Sequence, residues 1–101
     1  MSAAATERRV PADAIQLDLC GEAVAVPPEL ARTLAAAAAA RAGVSSRHRD
    51  LSLLLGRALE EGRVTLGRAE VRTLRAVLEE ENAGGGLGSA GQDLLRASAS
   101  V

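Results

Sequence analysis

Apolar positions along the chain change period once, and the expected structure changes with them. Ile15, Leu17 and Leu19 alternate with Gln16 and Asp18, and Val24 and Val26 alternate again beyond Gly21-Glu22. A period of two is that of a half-buried strand. Two such segments around a turn predict a β-hairpin ending at Pro27-Pro28. A two-stranded hairpin is marginal alone in water, so it must lie on helices or pair with the edge of another copy. From Pro28 the apolar period lengthens. Proline suits the first position of a helix, and the spacing predicts one to Ala42, stopped by Gly43, with Leu30, Leu34 and Ala37 on one face. Ser45-Ser46 caps a second helix over 46–61, closed by Gly62, with Leu51, Leu54, Leu55, Ala58 and Leu59 on one stripe. Leu53 falls outside that stripe, among Arg49, Arg57 and Glu60. A third helix over 67–81 opens between Thr65 and Gly67 and carries Val71, Leu74, Val77 and Leu78.

The ends lack such periodicity. Residues 1–12 are small and polar and read as a disordered leader. Asn82 begins a break, and 83–101 reads as a flexible Gly-rich tail in which Gln92 to Ala97 form one more helical turn through Leu94 and Leu95. The expected fold is therefore mainly α. One domain over 13–82 holds an N-terminal β-hairpin followed by three helices.

Composition changes the picture in two ways. The chain has 101 residues and no Phe, Tyr or Trp, so its core must come from fifteen Leu, eight Val, Ile15 and many Ala. Such a core is marginal for one domain and favours self-association. All twelve basic residues are Arg, and Lys is absent. The residues in short supply are those of AT-rich codons, which points to a small bacterial protein from a GC-rich genome. The choice of Arg over Lys therefore carries no functional weight by itself, although Arg suits bidentate phosphate contacts. The net charge of −1 excludes polyanion binding by bulk charge. Cys20 is the single cysteine, which fits a reducing compartment. The first residues lack an apolar signal core, and no apolar run approaches the length of a bilayer span. A cytoplasmic location without a membrane partner is expected.

Candidate chemistry is sparse. Gly86-x-Gly88-x-x-Gly91 matches a dinucleotide fingerprint in spacing only, because that mechanism needs a strand before it and an acidic residue about 20 positions later. Without Lys there is no phosphate-cradling P-loop. Cys20, His48 and Asp50 are the only ingredients for a nucleophile–base–orienter set. Two soft ligands fall short of the four or so of a structural zinc site. No catalytic residue, cofactor, metal or small-molecule substrate is expected, and the chain reads as a non-enzyme.

Basic residues supply a stronger lead. Arg68, Arg72 and Arg75 share one narrow arc of the third helix, and the outline of the second and third helices is that of a helix-turn-helix. Glu79 lies in the same arc and opposes this reading. Arg47 and Arg49 belong to a second cluster with Arg41 and His48 near the link between the first two helices. These five, Arg68, Arg72, Arg75, Arg47 and Arg49, are the candidate nucleic-acid contacts. Leu53, Leu94 and Leu95 are the candidate protein-docking residues.

Ile15-x-Leu17-x-x-x-Gly21-x-x-Val24-x-Val26-Pro27-x-Glu29-Leu30-x-x-x-Leu34 resembles the hairpin-plus-helix opening of small bacterial antitoxin or excisionase-type regulators. The resemblance covers residues 15–34. It implies a non-catalytic, DNA-associated regulator acting as a homodimer. Gly43-Val44-Ser45-Ser46-Arg47 stands where those regulators carry a Val-Ser-Arg turn, and no site residue is carried over. The competing expectation is a protein–protein adaptor or assembly component that uses Leu53 and the C-terminal tail.

Overall fold

A central strand organises the molecule. The structure, a computed structural model, describes residues 14–100. The expected leader over 1–12 lies outside them. Strand β1 (Ile15–Leu19) pairs antiparallel with β2 (Glu22–Val26) and parallel with β3 (Arg63–Leu66), giving a sheet in the order β2-β1-β3. The hairpin turns on Cys20 and Gly21, at φ 54° and 102°. Positive φ at both central residues gives the backbone twist that two-residue hairpins need. Gly21 meets this freely, whereas Cys20 is an L-residue in the left-handed region.

Helix α1 (Pro28–Ala39) and helix α2 (Ser46–Glu61) connect the hairpin to β3, and helix α3 (Arg68–Ala83) and helix α4 (Ser89–Ala99) follow it. α1 begins at Pro28 as expected. It ends three residues before Ala42, and 40–44 form turns. α2 has the predicted bounds. The Ser45 hydroxyl accepts from the His48 backbone N–H at 3.3 Å, and Gly62 ends the helix at φ 89°.

The expected hairpin with three helices is incomplete in two places. Arg63-Val64-Thr65-Leu66 is a third strand, where the sequence reading has only the approach to a helix. Val64 and Leu66 point inward, Arg63 and Thr65 outward, and glycine bounds the strand on both sides. In addition, part of the expected flexible tail over 83–101 is a fourth helix: Ser89–Ala99 forms α4, longer than the single turn expected over Gln92 to Ala97, and it packs on α3 and reaches β2. Leu94 is fully buried there. Gly91 lies directly under the Leu87 side chain, whose atoms occupy the space a Cβ would need.

Ile15, Leu17, Leu19, Val26, Val64 and Leu66 form the inner face of the sheet. They meet Leu34 of α1, Leu51 and Leu55 of α2, Leu74 and Leu78 of α3, and Leu94 of α4 in one core. Leucine from every helix takes the place of aromatic rings. The outer face of the sheet is polar. There the Asp18 carboxylate accepts from Gln16 Nε2 at 3.0 Å, from the Arg63 guanidinium at 3.2 Å and from Thr65 Oγ1 at 3.5 Å. These contacts tie β3 to β1 across the outer face.

Two outcomes are expected. Leu94→Ala lowers unfolding free energy by about 2–5 kcal/mol, the usual cost of truncating a buried leucine. An unchanged urea midpoint would show that α4 is not docked on the core. The second concerns Asp18. The Gln16 hydrogen bond, then the Arg63 hydrogen bond, hold its pKa below the usual carboxylate value. Its contribution to stability is therefore complete above the unfolded-state value of about 3.9 and disappears as pH falls through the lower folded-state value. Carbon-detected NMR titration should place the Asp18 midpoint below that of an unfolded aspartate, and Gln16→Val should raise it.

Candidate functional site

Three of the five candidate arginines line one space. Arg68, Arg72 and Arg75 share an open cleft of about 440 Å³ with Val71 and Ser98. α3 supplies the arginines because positions i, i+4 and i+7 return to one face at about 100° per residue. The rest of its apolar stripe, Leu74, Val77 and Leu78, turns into the core, while buried Val71 at the edge of that stripe also lines the cleft. α4 supplies the opposite wall through Ser98, which is 3% exposed. The Ser98 hydroxyl donates to the Leu95 carbonyl at 2.8 Å. It offers a ligand lone pairs only, so the hydrogen-bond donors of the cleft are the guanidinium groups.

Charge within the cleft is unevenly compensated. Arg75 Nε bonds Glu79 at 3.3 Å, an i,i+4 pair along the same face. Glu80 is turned to another side and pairs with Arg41 at 2.6 Å. Among the described residues Arg68 and Arg72 form no ion pair. They are like charges at i,i+4, an arrangement that destabilises a helix by about 0.2–0.5 kcal/mol. Arg68 also stands at the first position of α3, where the helix dipole disfavours a cation. Gly67 provides no side-chain cap there. An anion in the cleft would relieve all of these conflicts.

The other candidate residues are placed elsewhere. Arg47 borders a separate notch of about 20 Å³ with Asp50, Ala69, Glu70 and Thr73. Ala69 and Thr73 occupy a different side of α3 from the arginine row, so the two basic clusters do not merge there. Arg49 is exposed on α2. The helix-turn-helix outline does not hold, because β3 separates α2 from α3 and is paired into the sheet. α4 beside the row also makes it a cleft wall rather than a projecting ridge. Leu53 is 66% exposed, as its spacing implies. Leu94 is in the core and Leu95 packs partly against it, so the tail leucines hold α4 to the fold and Leu94 is not available for docking. Two features escape the sequence. Val44 is 91% exposed in the turn before α2. Ser98 belongs to the cleft only through the docking of α4.

Cys20 and His48 are each engaged locally. The Cys20 thiol is directed at the Leu66 carbonyl at 4.0 Å, and His48 Nδ1 lies 2.8 Å from the Ser45 hydroxyl. Among the described residues, no three His, Cys, Asp or Glu side chains gather as metal ligands would. Gly86 and Gly88 lie in the link from α3 to α4, and Gly91 in the first turn of α4, with a helix rather than a strand before them. No helix among the described residues is long and apolar enough to cross a membrane.

No family model, curated protein or solved structure matches the chain. The cleft therefore stands on its own geometry.

The repulsion between Arg68 and Arg72 has a measurable sign. Without an added anion, Arg72→Gln should raise the melting temperature slightly in low salt, because its helical neighbours at i−4 and i+3 are both arginine. The gain should vanish at high salt, where screening removes the repulsion. Melting curves followed by circular dichroism test this. A lower melting temperature at low salt would show that Arg72 already has a compensating partner.

Proposed function

We propose that the chain is a cytoplasmic, non-catalytic binding module that holds the phosphates of a nucleic-acid backbone in the α3–α4 cleft. One observation carries the reading: Arg68, Arg72 and Arg75 line the same open space, and the first two lack an ion pair among the described residues. The row spans about 10 Å along the helix axis at 1.5 Å per residue, enough for more than one phosphate. Guanidinium groups match phosphate oxygens in a bidentate fork.

The composition narrows the mode of contact. The chain has no Phe, Tyr or Trp, so it has no aromatic platform on which unpaired bases could stack. The arginines sit in a cleft and not on a ridge, which favours phosphate contact over insertion into a major groove. Phosphate contacts fix position and carry no base information directly. The module is thus a sequence-tolerant binder, suited to a regulator that takes its specificity from a partner or from the shape of the nucleic acid.

Binding of labelled duplex and single-stranded oligonucleotides, titrated across salt, tests the proposal. Two or three phosphate contacts predict a slope of log affinity on log salt of about −2 to −3. The double variant Arg68→Gln/Arg72→Gln should lose about two units of that slope. Absence of binding at low salt, or binding that the double variant leaves unchanged, overturns the reading.

A further inference from the structure

α2 leaves one face without a partner inside the fold. Leu51, Leu55 and Ala58 are buried, and the opposite side faces solvent. At about 100° per residue, Arg49, Leu53, Gly56 and Glu60 fall within an arc of about 60° on that side. Their spacing of four, three and four residues is the seam along which two helices pack.

Each residue on this stripe is unexplained by the monomer. Leu53 is 66% exposed. Gly56 occupies the middle of a helix, where glycine lowers helix stability. Its φ is not positive, and a Cβ built on it would meet nothing within 4 Å. The fold therefore does not require a glycine there. Arg49 and Glu60, like Arg32 and Arg47, form no ion pair among the described residues; what sets them apart is their symmetric placement about Leu53 and Gly56.

We propose that α2 packs antiparallel against α2 of a second copy of the chain across Arg49, Leu53, Gly56 and Glu60. The stripe is complementary to itself when reversed. Arg49 and Glu60 share a midpoint with Leu53 and Gly56, between Leu54 and Leu55. A two-fold axis at that midpoint sets each Leu53 opposite the partner's Gly56. The missing side chain leaves a notch for the leucine. The same axis sets each Arg49 opposite the partner's Glu60, giving two ion pairs that flank the apolar centre. This is an isologous contact, with one patch meeting itself. A parallel pair would instead place Arg49 against Arg49 and Glu60 against Glu60, so charge selects the antiparallel arrangement.

A seam of a few turns is smaller than the interfaces of about 1,200–2,000 Å² that hold stable complexes. The dimer is accordingly a weak one, and self-association should be measured at high protein concentration. The experiment is sedimentation equilibrium on the full chain up to about 500 μM, a range that reaches such weak association. Wild type should dimerise. Arg49→Glu and Glu60→Arg should each weaken association about tenfold, since the two-fold doubles every change. The double variant Arg49→Glu/Glu60→Arg should restore it. Gly56→Leu should abolish dimerisation by filling the notch, and because the space is open its monomer should melt no lower than wild type. A wild type that stays monomeric overturns the proposal. So does a dimer that both single charge variants and Gly56→Leu leave intact, or one that the double variant fails to restore.

Discussion

The parallel pairing of β1 with β3 holds the two halves of the fold together. Asp18 and Arg63 are bonded although they stand 45 positions apart, and the chain between them contains β2, α1 and α2. Without that pairing, α2 would have no strand to return to, and α3 would begin with no fixed direction. Closing so long a loop has an entropic cost, which side-chain burial must offset. Leu17 and Leu19 beside Val64 and Leu66 supply the apolar part on the inner face. On the outer face, Asp18 with Gln16, Arg63 and Thr65 supplies the polar part. A core of aliphatic side chains alone can sustain this because all four helices contribute leucines to the same sheet surface.

Local patterns in the sequence were sufficient wherever an element is defined by its own residues. The hairpin follows from the alternation at Ile15, Leu17 and Leu19, and α2 from Ser45 and Gly62 at its ends. The apolar stripe of α3 is equally direct. β3 was missed because four residues between two glycines carry little periodic signal, and its identity depends on a partner far away in the chain. α4 was legible only as one helical turn over Gln92 to Ala97, for a related reason. The glycines of 84–88 read as a flexible link, and only the burial of Leu94 beneath α3 shows that the segment returns. The arginine row was legible as a helical face. Its conversion into a cleft was not, because Ser98 reaches it only through the docking of α4, which depends on contacts distant in the chain.

Charge placement separates residues that serve the fold from residues that conflict with it. Arg41 with Glu80 and Arg63 with Asp18 join distant elements, and Arg57, Arg75 and Arg96 each meet an acid on their own helix. Arg68, Arg72, Arg49 and Glu60 do neither among the described residues. Local choices in a foldable sequence generally agree with the global structure, and exceptions concentrate where a surface has another task. Arg32, Arg47, Glu22, Glu29, Asp50, Glu70 and Glu81 also form no ion pair among the described residues, but two groups of such charges gather on one face each. One is a cleft on α3 with like charges crowded together. The other is a stripe on α2 with opposite charges held apart.

The cleft depends on a helix that is connected to the rest of the protein through Gly84, Gly85, Gly86 and Gly88, with Leu94 as its fully buried leucine. Such a segment can open as a cooperative unit at lower free energy than global unfolding. A ligand that touches both walls binds only the closed form, so part of its binding energy appears as protection of the α4 amides against hydrogen exchange. The same linkage runs in reverse. Any substitution that loosens Leu94 would reduce the fraction of molecules in which the cleft exists, and would weaken the apparent affinity of a ligand held between its walls without touching an arginine.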